Sequence, residues 1–298
     1  MRWILRVVLL TAFGSLAFGQ QSASRTAKAS AEQPAGSYVG FDRNEYPGDA
    51  ALPVLRKHFS FVGYWLTNPP GSRSNNWVGK RAALREQGFG FLVLANGRFD
   101  TEILKAKKTS GLSAEALGKK DAANAVAAAE REHFPAGTII FLDQEQGGRL
   151  LPVQADYLFG WTEAVSRSAY KPGGYMSGQA VGDGPGKTIT TAQDVREQVA
   201  AKHLHPVALW VYDDACPPSN GCMLQPPAFR GSGAGPGLLQ GALQDVVVWQ
   251  YAQSPRRKEN TAACSKTYDA AGNCVVSELP AIHLDLNVAR TADPSHGR

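Results

Sequence analysis

From Ser37 onward, short apolar runs alternate with longer segments whose apolar residues recur at helical spacing. The short runs are typical of buried strands, because each is bounded by polar, glycine or proline residues. We place the eight predicted strands at residues 38–41, 61–66, 89–95, 138–142, 173–177, 206–212, 246–251 and 282–286. The run at 138–142 is wholly apolar after its first residue and leads directly into Asp143.

The intervening segments predict helices. Several carry recognisable end signals: Gly88 is a C-terminal stop, Ser113 is an N-cap with Glu115 in the first turn, and Thr191 with Asp194 resembles a capping box. The predicted helices cover residues 50–58, 77–87, 114–133, 153–169 and 191–202. Continuous apolar strands that alternate with helices indicate a parallel sheet covered on both faces.

Eight such strands favour closure into a TIM-like (β/α) barrel of the α/β class, which we place at residues 37–290. The main alternative is an open, doubly wound sheet. That fold usually carries a glycine-rich phosphate turn after its first strand, and residues 42–47 contain no glycine.

The first 19 residues have the order of a secretory signal peptide. Arg2 and Arg6 precede or enter an apolar stretch that ends in Ala17-Phe18-Gly19, and the stretch is shorter than a membrane span requires. The alternative is an uncleaved anchor. Residues 20–36 read as a disordered leader and 291–298 as a flexible tail. We therefore expect a secreted or periplasmic protein with no stable membrane insertion after cleavage.

Composition is that of a globular protein, with 43% hydrophobic and 19% charged residues. Loss of Arg2 and Arg6 with the signal peptide lowers the formal net charge from +5 by two, to +3. The remaining excess is dispersed, with no basic patch interleaved with aromatic residues. Nucleic acid is therefore not an expected partner.

The four cysteines agree with export, since disulfides persist in oxidising compartments. Cys216 and Cys222 are close in sequence, as are Cys264 and Cys274, and both pairs flank loop-like residues. Three connectivities are possible, and we expect the two local ones. Neither spacing suits a tetrahedral metal site, so we predict no bound metal and no cofactor.

Acidic residues collect at or near the ends of the predicted strands. They are Asp42, Asp143, Glu145, Asp213, Asp214 and Asp285. In an α/β barrel that rim holds the catalytic groups. Because strand side chains alternate, Asp143 and Glu145 face one side and Gln144 the other. Two neighbouring carboxyls cannot both ionise freely, so one pKa should rise and leave a proton available for acid catalysis. The alternative for any one of these residues, Asp213 and Asp214 above all, is a helix N-cap.

Aromatic residues on the strands offer flat surfaces that suit sugar rings. Five stand out, Tyr64, Trp65, Trp210, Trp249 and Tyr251, and we assign Tyr64, Trp249 and Tyr251 to substrate binding together with Asp42, Asp285 and Asp213. The alternative for each aromatic side chain is a place in the barrel core.

Six segments, in order, carry a resemblance to a known family. They are Gly40-Phe41-Asp42, Phe61-Val62-Gly63-Tyr64-Trp65, Ile140-Phe141-Leu142-Asp143-Gln144-Glu145, Gly174-Tyr175-Met176-Ser177, Trp249-Gln250-Tyr251 and His283-Leu284-Asp285-Leu286-Asn287-Val288-Ala289. Together they resemble the glycoside-hydrolase-like family formerly called domain of unknown function 1906, a relative of the muramidase-type lysozymes of glycoside hydrolase family 25. The resemblance spans roughly residues 38–289.

The resemblance implies a modified (β/α) barrel and a carbohydrate substrate such as peptidoglycan. It implies that Glu145 is the general acid, and that Asp143 stabilises charge or orients an N-acetyl group. Asp42 and Asp285 would line the pocket floor. Three departures stand against the lysozyme pattern: Gln144 replaces an apolar residue, Tyr175 comes one place early, which would reverse its facing, and the insert at 216–237 has no counterpart.

Three hypotheses follow. The first is a secreted glycoside hydrolase that cleaves peptidoglycan or a related polysaccharide, with Glu145 and Asp143 as catalytic residues. The second is a catalytically inactive carbohydrate- or cell-wall-binding barrel. The third is a phosphodiesterase-type barrel whose carboxylates hold a divalent metal. The sequence offers few histidines at matching positions to serve as ligands, which argues against it.

Overall fold

The computed structural model of the protein describes residues 37–216, 219–225 and 246–298. The predicted signal peptide and leader lie outside the described residues, as does most of the 216–237 insert. Among the helices of the described ranges, none has the length and apolar character needed to cross a membrane.

The described residues contain eleven strands and seven α-helices. The strands are β1 (Tyr38–Asp42), β2 (Phe61–Trp65), β3 (Gly90–Asn96), β4 (Ile139–Asp143), β5 (Lys171–Ser177), β6 (Val181–Gly182), β7 (Thr188–Ile189), β8 (Ala208–Tyr212), β9 (Val246–Ala252), β10 (Cys274–Val276) and β11 (Leu279–Ala289). The helices are α1 (Leu52–His58), α2 (Arg81–Glu86), α3 (Asp100–Ser110), α4 (Ala114–Arg131), α5 (Pro152–Ser166), α6 (Thr191–Ala201) and α7 (Lys258–Thr261). Two 3₁₀ segments, Asp49–Ala51 and Ala262–Thr267, complete the set.

Eight strands close into a barrel in the order β1, β2, β3, β4, β5, β8, β9, β11, and β11 returns to pair with β1. Steps from β1 to β9 are parallel, as the continuous apolar runs predict. The prediction of a TIM-like barrel is confirmed. β6 and β7 form a separate hairpin, and β10 adds to the outer end of β11.

The last barrel strand differs from the parallel arrangement that we expected, since β11 runs antiparallel to both β1 and β9. A parallel strand needs a crossover that returns the chain to the opposite end of the barrel. After β9 the chain instead stays at the rim, forms α7 and β10, and enters β11 through a tight turn. It therefore descends the barrel wall rather than ascending it.

Two helix predictions need correction. The helix expected at 77–87 is confined to α2, since the residues before it form turns, and α3 was not predicted. The N-cap of α6 is Thr190, whose hydroxyl accepts from the backbone N–H of Gln193 at 3.1 Å. Asp194 instead accepts from the backbone N–H of Leu150 at 2.9 Å and so ties α6 to the start of α5. Ser113 caps α4 as predicted.

The C-terminal residues 291–298, expected to form a flexible tail, are packed against the barrel. Ser295 donates its backbone N–H to the carbonyl of Phe91 at 2.9 Å and accepts from the N–H of Ile139 at 2.8 Å. The tail thus fills the gap between the starts of β3 and β4, whose own pairing begins further along. Backbone groups left unpaired there need partners, which explains why the tail is ordered.

The disulfides join Cys216 to Cys264 and Cys222 to Cys274, so the expected local pairing is wrong. The reason is that the two cysteine-bearing segments lie against each other at the rim: the N–H of Cys216 donates to the carbonyl of Asn260 at 3.2 Å. The bridges span 48 and 52 residues of sequence. In the chain-entropy view a loop of that length contributes about 4 kcal/mol, more than a local bridge.

Candidate active site

Three strands bring carboxyl groups to one point at the barrel mouth. β1 ends at Asp42, β4 ends at Asp143, and Asp285 on β11 lies directly opposite Asp42 in the antiparallel register. The Asp42 carboxyl accepts from Gln250 on β9, which is not a neighbour of β1 in the sheet, so it reaches across the barrel interior. β11 is antiparallel to β1, so its chain enters the barrel from this rim. Asp285 therefore lies at the rim although β11 continues beyond it into the barrel.

Asp143 and Glu145 form the central pair, with their side chains close enough to share a hydrogen bond and a proton. Burial, then the negative charges of Glu145 and Asp42, raise the pKa of Asp143 well above its ordinary value. Burial also raises the pKa of Glu145, against the opposing influence of the Arg257 charge and the Asp143 hydrogen bond. The pair therefore retains a proton at a pH where ordinary carboxyls have lost theirs.

Asp42 is the anchor of a buried polar network. Its Oδ2 accepts from Asn287 Nδ2 at 2.6 Å and from Gln250 Nε2 at 3.0 Å. Gln250 Oε1 in turn accepts from the hydroxyl of Tyr175 at 2.6 Å, and Gln253 Nε2 donates to that hydroxyl at 2.9 Å. Although the two amides favour the carboxylate, burial outweighs them and raises the pKa of Asp42 to about 6. The network sets the floor of the site.

Asp285 is buried beside this floor. Its Oδ1 accepts from the backbone N–H of Ser254 at 2.6 Å. Burial, followed by the negative charge of Asp42, raises the pKa of Asp285 well above its ordinary value. Two carboxyls in register on adjacent strands cannot both be charged at low cost, so this second pair also favours a shared proton.

Tyr175 faces the site, contrary to the reversed facing that we expected from its sequence position. It lies opposite Asp143 in the β4–β5 register, and residues in register share a face of the sheet. The neighbouring carboxylates Glu145 and Asp143, after burial itself, raise the pKa of Tyr175 well above its ordinary value. Its hydroxyl therefore stays protonated and acts as a hydrogen-bond donor.

Asp213 and Asp214, which follow β8, lie in two different environments. Asp213 lines a separate cavity of about 450 Å³ beside the β6–β7 hairpin, and burial raises its pKa to about 6. Asp214 accepts from Gln179 Nε2 at 3.0 Å and lies close enough to Arg257 and Asp285 to interact with both charges. The structure thus brings Asp214, rather than the predicted Asp213, toward the central carboxyls.

The three aromatic residues assigned to substrate binding do not reach the cluster, because each lies on the outer side of the barrel wall. Tyr64 donates its hydroxyl to Glu132 at 2.5 Å. The Trp249 indole donates to the carbonyl of Asp213 at 3.0 Å, and the Tyr251 hydroxyl to the carbonyl of Met223 at 2.9 Å. All three are buried and support the rim from outside. These three aromatic residues therefore occupy structural positions in the packed barrel, which was the alternative to substrate binding.

Other residues complete the site. The Trp210 indole, inside the barrel, donates to Asn287 Oδ1 at 2.8 Å. Phe99, which is 47% exposed, lines a cavity of about 50 Å³ together with Asp143 and Glu145. Gln250 and Asn287 could have been identified from the sequence, because each is a polar residue within an apolar strand and a buried polar side chain needs a hydrogen-bond partner. Phe99 and Arg257 lie in loops, where no sequence pattern indicates a role at the site.

The polar groups at the barrel mouth suit proton transfer. Across the described ranges, no group of three or more histidine, cysteine or acidic side chains is placed to hold a metal ion. What the geometry assembles is a pair of hydrogen-bonded carboxyls, a neutral tyrosine hydroxyl and the Arg257 guanidinium, whose Nη1 donates to Tyr212 at 3.3 Å. This arrangement can store one proton and deliver it to an atom in the mouth.

Comparison with solved structures finds similar folds. An uncharacterized B. stearothermophilus protein matches at a TM-score of 0.52 and 19% identity, covering 85% of this chain and 95% of that one. The Mycobacterium tuberculosis Tat-secreted protein Rv2525c in complex with HEPES matches at a TM-score of 0.48 and 11% identity, covering 89% and 98%. The modular Cpl-1 endolysin complexed with a peptidoglycan analogue matches at a TM-score of 0.39 and 15% identity, covering 75% of this chain and 53% of that one.

No curated protein matches the sequence. A sequence model of the Rv2525c-like, glycoside hydrolase-like domain matches residues 56–220, more than half of the chain and the part that contains β2 to β8 with the Asp143–Glu145 pair. The chain therefore belongs to the Rv2525c-like family of glycoside hydrolase-like domains.

Proposed function

We propose that the protein is a secreted glycoside hydrolase that cleaves peptidoglycan or a related polysaccharide by carboxylate acid catalysis. The observation that carries this proposal is the hydrogen-bonded Asp143–Glu145 pair, which retains a proton at the mouth of a glycoside hydrolase-like barrel. Protonation of the leaving oxygen is the step that glycosidic bond cleavage requires of an acid.

Glu145 donates the proton, because it is half-buried beside the cavity while Asp143 is buried behind it. The proton moves to the glycosidic oxygen, the bond from that oxygen to the anomeric carbon breaks, and water supplies the new hydroxyl. Asp143 supports the positive charge that develops on the sugar, or orients an N-acetyl group of the substrate. Asp42 and Asp285 line the floor, and Tyr175 donates from a fixed position.

Phe99 provides the aromatic surface at the mouth, in place of the residues predicted for that role. It is exposed, caps the start of α3 and lines the same cavity as Glu145. That cavity, about 50 Å³, is much smaller than the several hundred Å³ of a typical ligand pocket. We therefore propose that the segment at residues 70–71 moves away from the carboxyl pair when a sugar ring enters.

Export is part of the proposal. Both described disulfides bridge rim segments, and such bonds persist in oxidising compartments. A secreted protein with this site would meet cell-wall polysaccharide, which matches the chemistry of the carboxyl pair.

The decisive variant is Glu145→Gln, which keeps the shape of the side chain and removes its proton. We expect hydrolysis of peptidoglycan and of a panel of polysaccharides, measured as new reducing ends, to fall by at least about a hundredfold. Thermal unfolding should be unchanged or slightly improved. Glu115→Gln is the matched control, because Glu115 is exposed on α4 and pairs only with Lys119 among the described contacts.

Undiminished turnover by Glu145→Gln contradicts the assignment of the acid. Binding of a polysaccharide without any cleavage, equal in the two proteins, would instead identify an inactive carbohydrate-binding barrel. Activity that disappears on chelation would favour the metal-dependent phosphodiesterase alternative.

A further inference from the structure

A second cavity lies next to the carboxyl groups of the barrel mouth, between the β6–β7 hairpin, the start of α6 and the end of β8. This hairpin cavity has a volume of about 450 Å³, within the range of small-molecule sites. Gln179 lines it and donates through Nε2 to Asp214 Oδ1 at 3.0 Å, and the charge of Asp214 in turn acts on Asp285. One hydrogen-bonded side chain therefore connects the hairpin cavity to the candidate active site.

The side chain of Asp213 faces the hairpin cavity. Tyr212, the residue before it, faces the barrel interior, where its ring centroid lies 5.4 Å from that of Tyr175. The sheet ladder continues for one residue more, because the N–H of Asp213 donates to the carbonyl of Gln250 at 3.0 Å. Since strand side chains alternate, Asp213 points out of the barrel, toward the cavity that it lines.

One oxygen of the Asp213 carboxyl is unpartnered and open to the cavity. Oδ1 accepts a long hydrogen bond from the N–H of Ala215, at 3.3 Å. Oδ2 accepts from no residue of the described ranges and remains accessible, whereas the unpartnered Oδ2 of Asp214 is sealed from solvent. Because Asp213 is only 5% exposed as a whole, an occupant of the cavity is the partner that this oxygen can reach.

The charge of Asp213 is not balanced by a cation within the part of the chain that the structure describes. Burial raises its pKa to about 6, which is still below neutral pH, and the charge that acts on it is that of Asp214. Arg149, the guanidinium beside the hairpin, is taken by Asp183 at 2.8 Å through both Nε and Nη2, and by Asp194 at 3.0 Å. A buried carboxylate without a partner is costly, so a cationic occupant would be stabilised here.

The walls of the hairpin cavity are held in place without a ligand. The Arg149 contacts tie the hairpin to the loop that follows β4, and a Cβ atom at Gly148 on that loop would lie 2.8 Å from Val181 Cγ2. At the start of α6, Thr190 and Gln193 exchange side chain–backbone hydrogen bonds of 2.9 and 3.1 Å. The backbone donors of these two residues are therefore already paired and are not offered to an anion.

The remaining lining suits a short aliphatic chain. Ala180, Val181 and Ala215 contribute apolar surface, and Gln179 and Asn260 contribute amide groups. A primary ammonium has three donors, so it can bind a carboxylate oxygen and neutral amide oxygens at the same time. The negative charge, the apolar surface and the amides together match an alkyl ammonium group.

We propose that the hairpin cavity is a subsite for a primary ammonium group of the substrate, bound by the carboxylate of Asp213. The ammonium has two possible sources in a wall polysaccharide: the side chain of a basic amino acid in an attached peptide, or an amino sugar without its acetyl group. The proposal rests on the proposed function, since cleavage at the Asp143–Glu145 pair brings such a group next to the cavity. It gives the protein a preference for polysaccharide that carries free amines.

The test measures the binding of small amines to the full mature chain. The probes form two matched pairs, Nα-acetyl-lysine amide with its Nε-acetyl derivative, and glucosamine with N-acetylglucosamine. They contain no glycosidic bond, so binding is measured without turnover. Backbone amide signals of residues 178–181 are followed by ¹⁵N NMR. We expect a free amine to bind at this cavity about ten- to a hundredfold more tightly than its acetylated partner, because acetylation removes a hydrogen bond between two charged groups.

Asp213→Asn tests the assignment directly, since it keeps the shape of the side chain and removes its charge. The preference for the free amine should disappear, while the midpoint of thermal unfolding should not fall, because a buried unpaired charge is lost. Glu115→Gln is the control, since it removes an exposed carboxylate from α4, which does not line the cavity, and it should bind as the parent does.

A second variant keeps the proposal testable if Asp213→Asn does not fold. Ala180 is exposed and lines the hairpin cavity, so Ala180→Lys places a tethered ammonium beside Asp213 without disturbing the core. Its own ammonium should occupy the carboxylate and weaken binding of the free amines at least about tenfold.

The two pairs of probes distinguish the sources of the ammonium. A preference for the lysine derivative supports the subsite and identifies a peptide side chain, and a preference for glucosamine supports it and identifies an amino sugar. A parent chain that does not distinguish free from acetylated amines overturns the subsite, as does a folded Asp213→Asn that retains the preference. Binding lost in Glu145→Gln but kept in Asp213→Asn also overturns it, because the ammonium then lies at the catalytic pair.

Failure of the subsite and failure of the proposed function give different results. Hydrolysis of polysaccharide by the wild-type chain without any amine preference overturns the subsite and leaves the proposed function in place. Amine binding at residues 178–181 without hydrolysis supports the subsite and contradicts the hydrolase.

Discussion

Arg257 is the cation that opposes proton retention by Glu145 in the Asp143–Glu145 pair. Its positive charge lowers the pKa of Glu145, against the larger effect of burial, which raises it. The guanidinium lies over the ring of Tyr212, 4.7 Å from its centroid, and this contact keeps it in place. The pH at which Glu145 loses its proton is therefore the balance between a buried position and one fixed charge.

Replacement of Arg257 by glutamine should move the alkaline limb of the pH–rate profile to higher pH. Without the cation the charged form of Glu145 is less favourable, its pKa rises further, and the acid stays protonated longer as pH increases. The measurement is kcat/KM for polysaccharide hydrolysis against pH. Arg257→Lys keeps the charge and should restore most of the original profile; an unchanged limb in Arg257→Gln contradicts the role of Glu145 as acid.

At the scale of elements, the ends of β3 and β4 approach so closely that position 97 accepts only glycine. A Cβ atom there would lie 2.0 Å from the carbonyl oxygen of Asp143. Backbone cannot yield as a flexible side chain does, so any larger residue displaces the end of β4. Asp143 is therefore positioned by Gly97, which follows the neighbouring strand β3.

We predict that Gly97→Ala lowers kcat by at least about tenfold while the barrel remains folded, since misplacement of a catalytic group by a fraction of an ångström is costly. Circular dichroism and kcat are measured together. Gly182→Ala, in the β6–β7 hairpin, is the matched control, because a Cβ atom there meets nothing within 4 Å. Equal activity of the two variants would show that the β3–β4 contact does not set the site.

At the scale of the whole molecule, the barrel mouth concentrates carboxyl groups whose pKa values are raised by burial: Asp42, Asp143, Glu145 and Asp285. A carboxyl whose folded pKa exceeds its unfolded one contributes stability below the unfolded pKa. That contribution is lost as pH rises through the folded pKa. For Asp42, raised from 3.8 to about 6, the shift of about two units corresponds to about 3 kcal/mol.

The protein should therefore become more stable as pH falls from 7 to 5. Asp183 and Asp269 have lowered pKa values in the folded protein. They reduce the stability only when the pH falls below the ordinary pKa of an aspartate, so they do not affect the range from 7 to 5. The measurement is the midpoint of thermal unfolding across this range. Asp42→Asn, which removes one of the titrating groups, should flatten the dependence; a midpoint that falls steadily from pH 7 to 5 in the parent chain would contradict the buried-carboxyl account.

Local patterns were sufficient for the strands and for the central pair. The apolar run of β4 identifies a buried strand, and period-two alternation then directs Asp143 and Glu145 to the same side. The facing of Tyr175 depended instead on the register between β4 and β5. A shift of one residue in register reverses every side chain of a strand, and nothing in a single strand's sequence states it.

The sequence by itself determined the barrel class, the number of barrel strands and the carboxyl pair, because each depends on hydrophobic periodicity within a few residues of chain. The tertiary structure decided what depends on segments distant in sequence. It set the direction of β11, the crossed disulfides, the docking of residues 291–298 and the Asp42–Gln250–Asn287 network. Contacts of that kind are selected by closure of the barrel and by the need of buried polar groups for partners.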